Sequence, residues 1–266
     1  MDELTLKYNR LLEVLAETGG AVVAFSGGVD SSLLLLAAKH ALGDKAIAAS
    51  IATPYVPQWE QGEAKELAQK LGVEQVRLKL DFPAELRSNP PEHCYTCKKI
   101  LFTKLQELAE QLNIAHILEG TNIDDLSDYR PGIMALRELE IRSPFVEAEL
   151  TKAEIRELSR RFELPTWDKP SFACLLSRMP VGIEVTDEAL QQVEQAEVFL
   201  MKAGFPAVRV RHHGEIARIE IPAEQLQDFI KASETYDFNN TLKEFGYKHV
   251  TLDLGGYQMG SLNMKA

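Results

Sequence analysis

A chain of 266 residues, 45% hydrophobic and 26% charged, is long enough for one large or two modest globular domains. Its formal net charge of −11 disfavours a broad electrostatic grip on nucleic acid. There is no run of about 18 apolar residues to suggest a membrane span. The opening MDELTLKYNRLLEVLAETGG lacks the basic-then-apolar order of a secretory signal, so the cytoplasm is the expected location.

In chain order, Leu4, Leu11, Leu12 and Leu15 form an apolar stripe that predicts a helix over 4–17. Ala21–Phe25 reads as a short buried strand and Ser31–Ala41 as an apolar helix. A second strand (Ala46–Ala52) and helix (Glu60–Leu71) follow, then a third strand (Val76–Leu80) and a strong helix (Lys98–Leu112). His116–Glu119 supplies a fourth strand. This β-α alternation predicts a parallel sheet covered by helices on both faces. Thr151-Lys-Ala-Glu154 has the capping-box pattern and opens a helix to about Phe162. Leu164–Gly182 carries three prolines and no period, and reads as a functional loop or linker. Beyond it, a helix (Thr186–Ala203) and strands at Ala207–Arg211, Ile216–Ile221 and His249–Leu254 predict a small α+β domain. Two helices, 224–232 and 239–245, fall between the last two strands. The expected division is therefore 1–170 and 171–266.

The stretch AVVAFSGGVDSS carries the first chemistry. A buried strand delivers the chain to Ser26, Gly27 and Gly28, and a helix opens just beyond Val29. Glycines let backbone N–H groups approach a ligand closely, and a helix N-terminus carries positive partial charge. The product is an anion site, with phosphate the obvious anion. Ser26, Ser31 and Ser32 add hydroxyl donors. Asp30 would repel phosphate unless a cation stood between them, which points to Mg²⁺. No Lys follows the glycines and no third glycine completes a dinucleotide fingerprint, so other glycine-rich loops do not match. The bland alternative is a strand-to-helix turn capped by serine.

Three cysteines follow, two of them as His93-Cys94-Tyr95-Thr96-Cys97, and Cys174 stands far downstream in PSFACLLSR. In a reducing compartment, Cys-x-x-Cys favours metal or redox chemistry over a disulfide. Zinc would need a fourth ligand, for which His93 is on offer. A [4Fe–4S] cluster on Cys94, Cys97 and Cys174 would leave one iron open. Simple packing of small residues remains the alternative, and for Cys174 spacing carries almost no signal. A thiolate beside an activated acyl group could also act as a nucleophile.

Other polar residues remain open between roles. Arg209 and Arg211 alternate on a strand and share one face, which suits phosphate or plain solvation. Ser177 and Arg178 follow Cys174 and could bind substrate, or Arg178 could pair with a carboxylate. Gly120, Thr121 and Asn122 fall at the carboxyl end of the fourth strand, where parallel sheets bind ligands. Asp124, Asp125, Asp128 and Arg130 follow them, as ligands or as a helix-capping loop. His212 and His213 point opposite ways on a strand and cannot share a metal. Trp167 stacks or packs, and Glu184 holds Mg²⁺ or faces solvent.

SGGVDSS resembles the PP-loop of the ATP pyrophosphatase superfamily, whose members cleave ATP between the α and β phosphates and adenylate an oxygen. The segments GTNIDDLSDYRPG, SPFVEAELTKAEIRELSR, LPTWDKPSFACLLSRMPVG, VRVRHHGEIARIEI and GYKHVTLDLGGYQMGSLN extend the likeness over nearly the whole chain. Together they resemble the LarE family of ATP-dependent sulfurtransferases. That resemblance implies a PP-loop (adenine nucleotide α-hydrolase-like) domain followed by a small α+β domain. It implies ATP and Mg²⁺ as cofactors and a pyridinium-3,5-biscarboxylate mononucleotide as substrate, on the way to the nickel-pincer nucleotide of lactate racemase. A substrate carboxylate would attack the α-phosphate, and sulfur would then displace AMP. ATP would rest on residues 26–32 with Gly120, Thr121, Asn122, Asp125 and Arg130, and the substrate phosphate on Ser177, Arg178, Arg209 and Arg211.

In single-cysteine members the sulfur comes from the side chain that matches Cys174. The three-cysteine pattern here resembles members that hold a [4Fe–4S] cluster, which would let one protein molecule act repeatedly. The resemblance also implies a homo-oligomer, with a hexamer as one form, and leaves the sulfur donor unidentified. A tRNA thiolase is the competing enzyme class, opposed by the net charge of −11. An ATP sensor would need neither Asp30 nor Cys174, and an amidotransferase would need an ammonia source, for which the chain shows no evident glutaminase nucleophile motif.

Overall fold

The computed structural model describes residues 2–127, 131–170 and 173–257. The chain divides into two compact units. One comprises Met1–Asp81 and Glu92–Phe172, the other Phe82–Pro91 and Ala173–Ala266.

The first unit contains α1 (Glu3–Ala16), β1 (Ala21–Ala24), α2 (Val29–Leu42), β2 (Ala46–Ala52), α3 (Gln58–Lys70) and β3 (Glu74–Lys79). It continues with α4 (His93–Gln111), β4 (His116–Leu118), α5 (Pro131–Glu138), α6 (Pro144–Glu147) and α7 (Lys152–Arg161). The strands form one sheet in the order β3-β2-β1-β4, and every pair is parallel. The fold is α/β, as the β-α alternation predicts. Strand residues alternate between two apolar layers. Val23, Ala48 and Leu118 pack with α1, α2, α3 and α7, whereas Val22, Ala49 and Ile117 pack with Phe102, Leu105 and Leu108 of α4 and Leu136 of α5. The Leu-Leu-Leu-Leu-Ala-Ala run of α2 is hydrophobic on all sides and its core is fully buried, as such a helix must be. Each buried leucine there contributes roughly 2 kcal/mol.

Three features differ from the sequence expectation. The helix expected from Lys98 begins at His93, so Cys94 and Cys97 lie in its first two turns and not ahead of it. The prolines at 90 and 91 separate α4 from the 3₁₀ turn at Ala84–Leu86, and the first turn of α4 needs no strong helix former because its N–H groups have no intrahelical partner anyway. Two helices, α5 and α6, have no counterpart in the sequence expectation; each opens on a proline, which is permissive at a first helical position yet reads as a breaker. Among the described residues of the loop 164–182, one 3₁₀ turn forms over Leu175–Arg178.

The second unit contains α8 (Asp187–Lys202), β5 (Arg209–His213), β6 (Ile216–Glu220), α9 (Leu226–Thr235), α10 (Phe238–Glu244) and β7 (His249–Leu252). Its sheet order is β5-β6-β7, antiparallel then parallel. One face presents Val210, Ala217 and Ile219 to an apolar core with Leu200, Phe205, Phe229, Phe238 and Leu242. The alternation of side chains puts Arg209, Arg211, Arg218 and Glu220 on the other face. Among the described residues, no helix is long and apolar enough to cross a membrane.

Candidate active site

β1 lies between β2 and β4, so the sheet reverses its winding there, and the chain leaves its carboxyl end as Phe25-Ser26-Gly27-Gly28. Ligands of open parallel sheets bind at such a point. Gly27 adopts φ +73°, and a Cβ there would stand 2.9 Å from the Ala64 Cβ, so the turn requires glycine on both counts. Gly28 caps α2 without a side-chain bond, which leaves N–H groups of the first turn open to an anion. The loop is braced internally: the Ser26 and Ser31 hydroxyls lie 3.1 Å apart, and Ser31 Oγ donates to the Gly28 carbonyl at 3.3 Å.

Asp30 sits in the first turn of α2. Its Oδ2 accepts from the Lys152 ammonium at 2.5 Å, while its Oδ1 is buried and meets no hydrogen-bond donor among the described residues. The Ser32 hydroxyl and the Thr53 hydroxyl beyond β2 are likewise buried and meet no partner among the described residues. Such orphan groups are rare in folded proteins and call for a ligand, water or ion. An unsatisfied carboxylate oxygen beside the open N–H groups of a helix start fits Mg²⁺, a hard cation that prefers oxygen ligands. A second cation stands nearby: Lys169 donates to the Gly27 carbonyl at 3.2 Å and pairs with Glu63 at 2.7 Å.

The segment after β4 closes on the same loop. A Cβ on Gly120 would approach the Asp30 Cβ to 2.9 Å, so this glycine permits close packing of two loops. Thr121 donates through both N–H and hydroxyl to the buried Glu119 carboxylate, whose other oxygen accepts from Ser143. Asn122 is buried; its N–H donates to Asp125 and its Oδ1 accepts from the Asp124 N–H, so Asp125 serves its own turn. Asp124 in turn accepts from the Lys152 N–H at 2.7 Å. Arg130 and Asp128 lie outside the described residues.

Cys94 and Cys97 share one face of α4, three residues apart. Cys94 is exposed; the His93 side chain hydrogen-bonds to it and, with Lys98, lowers its pKa below the usual thiol value. Burial pushes Cys97 the other way, although the Tyr55 hydroxyl lies 3.5 Å from its sulfur. In the reduced, cluster-free protein, Cys94 is therefore expected to alkylate with iodoacetamide at lower pH than Cys97. Peptide mass spectrometry across a pH series reads the two midpoints, and coincident midpoints would contradict the assignment. Among the described residues, no group of three or more His, Cys, Asp or Glu side chains is already assembled for a metal ion.

In the second unit, Cys174 caps the Leu175–Arg178 turn. Arg178 is almost wholly buried and forms a two-pronged pair with Glu197, at 2.9 and 3.1 Å. It also donates to the carbonyls of Ala173 and Cys174, so its guanidinium organises the turn. Arg211 binds Glu220 at 2.8 and 3.0 Å and donates to the Ser177 carbonyl at 2.5 Å. Arg209 donates to the Val208 carbonyl and lies over the Tyr257 ring, 5.2 Å from its centroid. Burial and the charge of Arg178 pull its pKa below the usual arginine range. Arg178, Arg209, Arg211 and Arg218 thus gather around the Glu197 and Glu220 carboxylates, with Arg218 paired to Glu220 at 3.0 Å and to Asp253 at 2.7 Å, and such a guanidinium-rich face suits an anion. His212 packs on Tyr247, His213 is exposed on the opposite face, and Trp167 and Glu184 are exposed.

Sequence reasoning missed Lys152, Lys169, Thr53, Glu197 and Glu220. Lys152 was visible only as the second residue of a helix-start pattern, and Lys169 only as part of a proline-rich loop.

Residues 8–114 match the NAD synthase family. The chain is 41% identical over 262 residues to an uncharacterized protein of Synechocystis, covering 98% of both chains. It is 35% identical over 266 residues to the pyridinium-3,5-bisthiocarboxylic acid mononucleotide synthase of Lactiplantibacillus plantarum, covering 99% of this chain and 96% of that one. A glutamine-hydrolysing GMP synthase polypeptide from Archaeoglobus fulgidus is 28% identical over 55% of this chain and 52% of its own length. The likeness to the two nucleotide-activating families is thus partial, whereas the likeness to the synthase is nearly end to end. On that evidence the chain belongs to the LarE family of ATP-dependent sulfurtransferases, within the PP-loop ATP pyrophosphatases.

Proposed function

We propose that the chain transfers sulfur to a carboxylate of pyridinium-3,5-biscarboxylic acid mononucleotide, activated by ATP, to give a thiocarboxylate. The near end-to-end match to the Lactiplantibacillus plantarum synthase carries this reading. In the first step a substrate carboxylate oxygen bonds to the α-phosphorus of ATP, and the bond to the β-phosphate bridge breaks. Pyrophosphate leaves and an acyl adenylate remains. A sulfur nucleophile then attacks the acyl carbon, AMP departs with the C–O bonding pair, and the thiocarboxylate forms.

The chain's own residues divide this work. The N–H groups at Gly28 and the first turn of α2, with the Ser26, Ser31 and Ser32 hydroxyls, receive the ATP phosphates. Asp30 would hold Mg²⁺, which would neutralise phosphate charge; Lys152 keeps the carboxylate aimed, and Lys169 adds positive charge for the leaving pyrophosphate. Thr53, Gly120, Thr121 and Asn122 line the nucleotide side, and Asp125 and Arg130 complete the residues assigned to ATP. Arg209, Arg211 and Ser177 take the substrate phosphate, and Arg178 orients the Cys174 backbone.

The donor set fits a [4Fe–4S] cluster: three thiols outside any disulfide, two of them one helical turn apart and one, Cys94, with its pKa lowered by His93. Cys94, Cys97 and Cys174 would hold it. When bound, it would supply an open iron able to carry the sulfur. Assembly as a homo-oligomer in the cytoplasm is part of the same reading. The test is anaerobic incubation of the protein with MgATP, sulfide and the biscarboxylate mononucleotide. Thiocarboxylate, AMP and pyrophosphate in equal amounts are expected. Pyrophosphate release without added mononucleotide, or thiolation of tRNA instead, would overturn the proposal.

A further inference from the structure

Asn89 is fully buried, and the reaction as described makes no use of it. It lies in the segment Phe82–Pro91, which belongs to the second unit although it precedes α4 in the chain. Its Nδ2 donates to three carbonyls, those of Leu176 at 3.3 Å, Met179 at 3.1 Å and Pro180 at 3.1 Å. Its own backbone carbonyl accepts from the Gly182 N–H at 3.0 Å. Next to it, Arg87 accepts at its carbonyl from the Val185 N–H at 2.7 Å and pairs with Asp187 at 2.8 Å. The segment therefore grips residues 176–187 along their length, and Asn89 is the point where the grip meets the turn that carries Cys174, Ser177 and Arg178.

Two demands converge on asparagine. The backbone at 89 has φ +42°, a left-handed conformation that asparagine tolerates better than most side chains. The three carbonyls need a neutral donor with two hydrogens on a short stem, and aspartate would set a negative charge against them. The amide Oδ1 is buried without a donor among the described residues, so the side chain is kept in place by its nitrogen. An unpaired buried acceptor is costly. A residue chosen for packing alone would not carry that cost.

We infer that Asn89 is a positioning residue for sulfur transfer: its amide fixes the 176–180 turn and thereby the placement of Cys174 and Ser177. The inference rests on the proposed function, in which that turn meets the substrate. The test uses the full chain with Asn89→Gly and Asn89→Asp. Glycine keeps the left-handed backbone and removes the amide; aspartate keeps the shape and removes the donor. Far-UV circular dichroism and ATP titration establish that each variant is folded.

In both variants kcat for thiocarboxylate formation is expected to fall on the order of 100-fold, as for a misplacement of about 1 Å. The KM for ATP stays at the wild-type value, and the alkylation rate of Cys174 shifts severalfold while that of Cys94 does not. Wild-type kcat in Asn89→Gly would overturn the inference, because backbone conformation alone would then suffice. A shifted Cys174 rate with undiminished turnover would overturn it as well. If the wild-type chain forms no thiocarboxylate, the functional reading fails on its own. The alkylation comparison then still decides the clamp, and unchanged Cys174 rates would remove it.

Discussion

Replacing Asp30 by asparagine is expected to slow pyrophosphate release by about a thousandfold, equivalent to about 4 kcal/mol of transition-state stabilisation. The amide would keep the size and the helix position and lose the charge. Two functions end with that charge. Oδ1, the buried oxygen without a donor among the described residues, no longer attracts Mg²⁺, and Oδ2 no longer anchors Lys152. The freed ammonium can still meet a phosphate, so ATP binding should weaken far less than turnover. Lys152→Gln makes the complementary change: Asp30 keeps its charge and loses its partner, and turnover should fall by a smaller factor. Because the two side chains touch, the double variant should lose less than the product of the single losses. Substrate-dependent pyrophosphate release reads all three. Turnover in Asp30→Asn within about threefold of wild type would remove the metal role assigned to Oδ1.

The second large effect concerns the cysteines. Cys94→Ala is expected to abolish thiocarboxylate formation altogether, including a first turnover, and Cys174→Ala to do the same. Acyl-adenylate formation should survive in both, because no cysteine stands in the phosphate loop. The contrast with the sacrificial alternative is sharp. If Cys174 gave up its own sulfur, Cys94→Ala would still yield about one product per chain, and the spent protein would be lighter by the mass of hydrogen sulfide at residue 174. Intact-mass spectrometry after reaction separates the two. The exposure of Cys94, its depressed pKa and its place one turn before Cys97 are all unnecessary to a one-thiol mechanism.

Local chemistry was legible in the sequence, and long-range pairing was not. The strand–Ser-Gly-Gly–helix transition could be read because a glycine at positive φ, a helix start and serine hydroxyls are all short-range features. The parallel sheet followed from β-α alternation for the same reason. The Asp30–Lys152 pair joins residues 122 positions apart, and no period marks it. Arg178 reads equally well as a substrate ligand or half of an ion pair until the fold sets Glu197 against it. The 82–91 segment has no repeat at all, and its value lies in three hydrogen bonds to carbonyls far along the chain. Helices α5 and α6 are hidden by the prolines that open them.

The most direct measurement is iron and acid-labile sulfide on protein purified without oxygen, with its ultraviolet–visible spectrum. The account predicts about four irons and four sulfides per chain and broad absorption near 400 nm, lost together in Cys94→Ala. Absence of iron after anaerobic reconstitution, with thiocarboxylate still formed once per chain, would contradict it and return Cys174 to the role of a consumed sulfur donor.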